Sequence, residues 1–416
     1  SYAAHRFFGE PSLRTTNIGI TGTSGKTSVA WILSHALHIL GKKTFLGGTL
    51  GYATLQSGDN PSANLKELGN TTIDPITVHR FLSDELKSGV QAAVFEATSQ
   101  GVVQRRMRDV AWDGVIFTNL TRDHMDLHGT MEAYEAAKRE LFTTDLMSSP
   151  KRGRFAVINI DDAAGQRIAG ELKLKHKEIS VITISREANL KSDFCIINLT
   201  STAAGLEYDL QGQGETLRIK ANFIGDHNAY NLGSAALALR ALGFKANDIA
   251  RALELVPAVP GRLEPVLGSK LPVFIDYAHK PDALEKVLRF LRPVCAGKLI
   301  SVFGCGGDRD TGKRPVMGEI SARLADKTIV TSDNPRSEDP EAIIEEILSG
   351  VPAENRDKLL IESDRRKAIE LAIGMATERD IVLVAGKGHE TYQEIKGVKY
   401  PFSDPEVCAE VLGVGG

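Results

Sequence analysis

Short, strongly apolar runs recur along this chain, separated by helical stretches, and that alternation limits its fold more than any other feature. NIGIT (17–21) precedes the helical stretch TSVAWILSHALHIL. AAVFEA, GVIFTNL and FAVINI follow, and later PVFIDYA, LISVFG, KTIVTSD and DIVLVAG, each bounded by polar turns. An apolar run without polar alternation reads as a strand covered on both faces, the habit of parallel sheets. Strands alternating with helices give a doubly wound α/β architecture. At 416 residues the chain is too long for one core. A boundary is expected near VPAVPGRLEP, where Pro257, Pro260, Gly261 and Pro265 interrupt one pattern before another begins. The expected domains are 1–260 and 261–416. The stretch from 185 to 220 is less periodic and reads as a β insertion.

Composition excludes several classes. Formal net charge is -3, which offers no basic surface to nucleic acid or to a membrane. No apolar run reaches membrane-spanning length. Cys195, Cys295, Cys305 and Cys408 lie far apart and form no CxxC pair, so neither a disulfide scaffold nor a zinc site is expected and a reducing, cytoplasmic setting fits.

Gly22, Thr23, Ser24, Gly25, Lys26, Thr27 and Ser28 follow a predicted strand and open a predicted helix. Glycines let backbone N–H groups wrap a phosphate, and a helix N-terminus adds partial positive charge. Lys26 would reach the outer phosphates of ATP and Thr27 would hold Mg²⁺. The usual loop pattern asks for glycine where Ile20 stands, so a variant loop is expected.

Glu96 ends the run AAVFEA, at the edge where ligand sites of parallel sheets form. TNLTRDHMDLHG packs Arg122, Asp123, His124, Asp126 and His128 into one short segment. Read alone, this segment is either a hydrogen-bonded polar loop or a metal site. Mg²⁺ prefers oxygen, so Glu96 suits it and a lone His124 only supports. Lys138, in MEAYEAAKREL, reads by itself as a solvated helix lysine.

In the second half, GCGGDRDTGKRP follows a strand and brings Arg309, Lys313 and Arg314 to one loop, as an anionic ligand would require. Arg336 in SDNPRSEDP and the loop AGKGHE follow two further strands. Three such loops are expected to face one crevice, the alternative being glycine turns with solvated charges. Asp276 and His279 follow PVFIDYA, where an aspartate either binds ribose or caps a helix.

Taken together, TGTSGKTS, TNLTRDHMDLHG, YEAAK, GDHNAYN, GRLE, DYAHKPDAL, GCGGDRDTGKRP, DNPR and GKGHE resemble the Mur ligases over nearly the whole chain, and within them the branch that adds the third amino acid of the peptidoglycan stem peptide. The resemblance implies a central P-loop-type ATPase domain with a mainly parallel sheet, then a Rossmann-like C-terminal α/β domain that binds the incoming amino acid. It implies ATP and Mg²⁺ as cofactors, and a carboxylate acceptor and an amino acid as small-molecule partners. Lys26, Lys138, Glu96 and His124 would be catalytic, with Thr27, Glu96, His124 and a carbamylated Lys138 around Mg²⁺. Asn228, Asn231, Arg262, Asp276 and His279 would serve the nucleotide. Thr71, Thr72, Thr98, Gln104 and Arg106 would meet the acid substrate. Arg309, Asp333, Asn334, Arg336, Gly386 and Glu390 match the set used for meso-diaminopimelate, whose distal carboxylate an arginine grips with two bonds.

The implied reaction has a substrate carboxylate attack the γ-phosphate, an amine attack the acyl-phosphate, and the last domain close over the central one. Ser24, Thr98 and Gln100 depart from the family pattern. So does the front of the chain, which begins where the family's UDP-binding domain would end, so truncation and natural absence are both expected readings. Rival readings are a folylpolyglutamate-type ligase joining another acid and amine, and a nucleotide-binding pseudo-ligase. DNPR and GKGHE weigh against the first, and Lys26, Glu96 and Lys138 against the second.

Overall fold

The computed structural model describes residues 1–55, 65–66, 69–187, 190–202 and 204–414, and the side chain of Asp126 lies outside that description. The chain divides into two units, Ser1–Pro257 and Ala258–Gly416.

The first unit holds β1 (Thr16–Thr21), β2 (Thr44–Gly48), β3 (Gly51–Thr54), β4 (Ala92–Glu96), β5 (Gly114–Phe117), β6 (Phe155–Asn159), β7 (Ser180–Ser185), β8 (Phe194–Thr202), β9 (Gly205–Gly212) and β10 (Glu215–Ala221). They form one sheet in the order β10-β9-β8-β7-β6-β5-β1-β4-β2-β3. β1 pairs in parallel with β4 on one side and β5 on the other, with Ile20 opposite Glu96 and Ile116. The chain thus leaves β1 toward one edge and later continues toward the other. The crevice of an open α/β sheet lies at such a reversal, beyond the strands' carboxyl ends. Ile18, Ile20, Val94, Val115, Ile116 and Val157 are fully buried there.

The expected β insertion is an antiparallel extension of this same sheet, through β8, β9 and β10. Their burial alternates residue by residue, one face packed and one wet, unlike the two-faced burial of β4, β5 and β6. The helix Lys26–Ile39 is buried continuously from Val29 to Leu37, so it lies inside the unit. The helix Met131–Glu140 runs into a wider π-helical turn, Leu141–Leu146, whose Leu141, Phe142 and Leu146 fill the core.

The second unit holds β11 (Glu264–Pro265), β12 (Val273–Asp276), β13 (Leu299–Phe303), β14 (Lys327–Val330), β15 (Leu359–Ile361) and β16 (Ile381–Ala385), in the order β11-β12-β16-β13-β14-β15, and a separate hairpin of β17 (Tyr392–Ile395) and β18 (Val398–Pro401). Only β11 runs antiparallel in the larger sheet. The polar loops after β12, β13, β14 and β16 therefore leave the same edge. Beneath them a fully buried ion pair, Arg365–Asp404, also donates to the carbonyls of Ala385 and Ser332. Among the described residues no helix is long and apolar enough to cross a membrane.

Candidate active site

β1 continues to Thr21, so Ile20, where the usual motif has glycine, is a sheet residue and the loop proper begins at Gly22. Gly22 (φ +150°) lies so close to Thr118 that a Cβ would collide with its hydroxyl. Gly25 (φ +86°) caps the helix Lys26–Ile39, and a Cβ there would lie 2.7 Å from Asn231 Oδ1. Both positions require glycine. Ser24 is exposed and held through its backbone: its N–H donates to Asn119 Oδ1 (2.9 Å), and its carbonyl accepts from Thr118 Oγ1 (2.6 Å) and Asn119 Nδ2 (3.1 Å). The departure at Ser24 therefore leaves the loop's fastening unchanged. Asn231 Nδ2 donates to Asn228 Oδ1 (2.7 Å) and Asn228 to the Ile224 carbonyl (2.7 Å), so Asn228 holds the Asn231 amide that faces Gly25. Ser28 is half-buried in the helix's first turn.

Lys26 Nζ donates to the carbonyls of Gly22 and Thr23, both at 2.9 Å. Lys138 Nζ reaches the same Gly22 carbonyl at 2.7 Å. Lys138 is 1% exposed and lies 4.3 Å from the centroid of the Tyr134 ring. Burial first, and the Lys26 charge second, push its amine down to about 6. The reading of Lys138 as a solvated helix lysine is thus corrected: it faces inward, onto the loop. Tyr134 also meets Thr23, hydroxyl to hydroxyl at 3.2 Å.

Glu96 leaves β4 at the same edge. Thr27 Oγ1 donates to Glu96 Oε2 (3.0 Å), and Thr49 donates to Oε1 through its N–H (2.7 Å) and to Oε2 through its hydroxyl (3.1 Å). His124 takes a left-handed backbone (φ +52°), its side chain 53% exposed and 3.6 Å from the Asp123 carboxylate. His128 shares a hydrogen bond with Ser99 (2.9 Å). Among the described residues no three His, Cys, Asp or Glu side chains gather into a metal-holding group. Mg²⁺ commonly takes one or two carboxylates and draws its other ligands from water and phosphate, so a single glutamate beside a threonine hydroxyl fits it.

Thr71 Oγ1 lies 3.2 Å from Thr49 Oγ1. Thr72 is buried and structural: its hydroxyl donates to the Glu96 carbonyl (2.9 Å), and it accepts from the Thr98 N–H (3.0 Å). Thr98 caps the short helix Ser99–Val103 through Gly101 N–H (3.1 Å), a bond that serine would make equally. Arg106 donates to the Thr72 carbonyl and to Gln104 Oε1. Gln100 is exposed.

In the second unit the loops surround a cleft of about 720 Å³, lined among others by His279, Arg309, Asp333, Asn334, Arg336 and Glu390. Gly386 (φ +115°) lets Asp333 approach: a Cβ there would stand 2.7 Å from Asp333 Oδ2. Arg336, itself left-handed (φ +50°), donates to the Gly307 carbonyl (2.8 Å), and its backbone N–H bonds to Glu394 of the hairpin. Arg309 is exposed at the cleft.

One sequence reading is corrected here. Arg314 is fully buried and paired with both carboxylate oxygens of Glu338 (2.8 and 2.9 Å) and with Glu346 (3.0 Å), so it fastens the loop and is no part of an anion site. Lys313 is drawn to the His279 carbonyl (2.7 Å). Asp276 spends one oxygen on Leu263 N–H and the other on Ala278 N–H, both at 2.8 Å, and burial pushes its carboxyl upward. It pins the neighbourhood of Arg262, whose guanidinium lies 5.2 Å from the Tyr277 ring centroid. His279 bonds the Tyr277 carbonyl (2.8 Å), and burial lowers its imidazole. Sequence reasoning missed Thr49, which stands in no quoted motif, and gave no task to Tyr134 within YEAAK or to Lys387 within GKGHE.

Comparison with known proteins bears on this layout. Residues 20–239 match the Mur ligase middle domain and residues 261–388 the Mur ligase, glutamate ligase domain. The chain is 45% identical over 414 residues to a UDP-N-acetylmuramoyl-L-alanyl-D-glutamate–2,6-diaminopimelate ligase of Aquifex aeolicus, spanning 100% of this chain and 81% of that relative. A solved structure of a ligase of the same name superimposes with a TM-score of 0.73 at 33% identity, over 96% of this chain and 78% of the other. A Mycobacterium tuberculosis folylpolyglutamate synthase shares the fold at TM-score 0.70 and 19% identity, over 92% and 91%. With both domain families matched in order, and a relative this similar from end to end, the chain belongs to the Mur ligase family and is a ligase.

Proposed function

We propose that this ligase uses ATP and Mg²⁺ to join an amine of meso-2,6-diaminopimelate to the D-glutamyl carboxylate of UDP-N-acetylmuramoyl-L-alanyl-D-glutamate, releasing ADP and phosphate, in the cytoplasmic stage of peptidoglycan synthesis. The names of the relatives motivate the substrate pair. One observation supports the choice of amine: Arg309, Arg336, Asp333, Asn334 and Glu390 line one cleft of the second unit. Such a cleft offers guanidinium groups to a carboxylate and carboxylates to an ammonium, as a doubly zwitterionic amino acid needs.

The acid's carboxylate attacks the γ-phosphorus and the bond to the β-phosphate oxygen breaks. Lys26 balances charge on the transferred group from the helix N-terminus. The neutral amine then attacks the acyl carbon. Phosphate leaves with the bridging carboxylate oxygen, and the amine loses a proton. Thr27 and Glu96 would hold Mg²⁺, with His124 and Lys138 nearby; bound there, the ion neutralises crowded phosphate and carboxylate charge. Lys138 suits a modified role because burial, and then the Lys26 charge, push its amine down to about 6 and so favour the neutral form. A neutral amine adds CO₂, releases one proton, and becomes an anionic carbamate.

Arg336→Ala tests the cleft. Losing charge-assisted bonds to a carboxylate costs about 1.5–3 kcal/mol, so KM for diaminopimelate rises roughly 10- to 150-fold. KM for ATP stays within twofold. Equal losses for both substrates would overturn the assignment.

A further inference from the structure

Behind the cleft's lining lies a cation with no assigned task. Lys387 has no exposed surface. Its Nζ donates to Asn334 Oδ1 and to Glu390 Oε2, each at 3.1 Å, and stands 3.9 Å from Asp333 Oδ1. All three partners line the cleft, and Lys387 does not. Asn334 Oδ1 also accepts from Glu394 N–H (2.9 Å), so two donors fix which end of this amide is oxygen. The Asn334 amide nitrogen is thereby turned to Glu390 Oε2, at 2.8 Å. One buried ammonium thus orients an amide and anchors a carboxylate through a single set of bonds.

From this arrangement we propose that Lys387 is a positioning residue for the incoming amino acid: it anchors and aims the Glu390 carboxylate, so that the cleft presents that group in one fixed place to a substrate ammonium. The inference rests on the reading that this cleft takes the amine substrate. Without Lys387, the Glu390 carboxylate and the Asn334 amide lose the donor that holds both. A carboxylate free to turn meets a substrate ammonium in the aligned geometry less often, so the amine substrate binds more weakly.

The test compares Lys387→Met, Glu390→Gln and the double variant in the full chain, with KM measured for diaminopimelate, ATP and the acid. The expected result for Lys387→Met is a rise of at least tenfold in KM for diaminopimelate near pH 7, with the other two KM values within twofold. The double variant, which removes both partners of the ion pair and so leaves neither charge stranded, keeps the comparison available if the single variant folds poorly. It should bind diaminopimelate no worse than Glu390→Gln alone, because Lys387 acts through Glu390. An unchanged KM for diaminopimelate in Lys387→Met, an equal rise in all three values, or strictly additive losses in the double variant would each overturn the proposal. If Glu390→Gln and Arg336→Ala both leave KM for diaminopimelate unchanged, the cleft reading itself falls. If they raise it while Lys387→Met does not, only this inference falls.

Discussion

Replacing Arg365 with methionine would leave the Asp404 carboxylate buried without a cation. In the native unit neither side chain has exposed surface, and the pair is two-pronged: Nε to Oδ1 at 2.8 Å and Nη2 to Oδ2 at 2.7 Å. Removing one member of such a pair costs about 3–5 kcal/mol, whereas replacing both with apolar groups is often close to neutral. For a unit of this size each kcal/mol moves the melting temperature by roughly 2–4 °C, giving a fall of about 6–20 °C. The chain's two tryptophans, Trp31 and Trp112, both lie in the first unit. Far-UV circular dichroism therefore follows both units, and tryptophan fluorescence follows the first. Arg365→Met should bring a second-unit transition down in the dichroism while the fluorescence transition stays in place, and Arg365→Met/Asp404→Leu should recover most of the loss. A dichroism curve superimposable on wild type, or a double variant less stable than the single, would refute the reasoning.

Asp145, buried in the π-helical turn, has its carboxyl pushed up to about 7 by burial and by the Glu140 charge. The folded state then keeps a proton that the unfolded chain releases, so this group makes stability fall as pH rises from about 4 to about 7. Asp145→Asn should remove that fall and stabilise the first unit at pH 8 by up to about 4 kcal/mol, read by tryptophan fluorescence in urea at several pH values; an unchanged pH slope would count against it. Gly25→Ala forces a left-handed alanine, at about 1–2 kcal/mol, against Asn231, and KM for ATP should rise roughly tenfold. Ser24→Asn, at a position fastened by its backbone, should leave KM for ATP within twofold.

Much of the scaffold was legible because buried parallel strands announce themselves: β4, β5, β6, β13 and β16 are the apolar runs themselves. β8 to β10 were blurred because one-faced antiparallel strands mix polar and apolar residues. Individual side chains were harder. Lys138 sits among charged neighbours on a helix, and no local pattern says that its face turns onto a loop more than a hundred residues earlier. Arg314 was taken for a ligand because the glutamates that consume it come from distant turns of the chain. Asp276 ends a strand where the sequence leaves ribose binding and capping both open, and the N–H groups that bond its two oxygens come from either side of it in the chain. Lys387 was visible only as a letter within GKGHE, since its partners come from two different loops.

The central claim is that the acid is activated as an acyl-phosphate, and oxygen tracing tests it most directly. The acid substrate is prepared with ¹⁸O in the reacting carboxylate and turned over with ATP, Mg²⁺ and diaminopimelate. Mass spectrometry of the released phosphate then reads where the oxygen goes. The account predicts one ¹⁸O in each phosphate, matched by one amide bond and one ADP. Phosphate free of label while amide accumulates would contradict it.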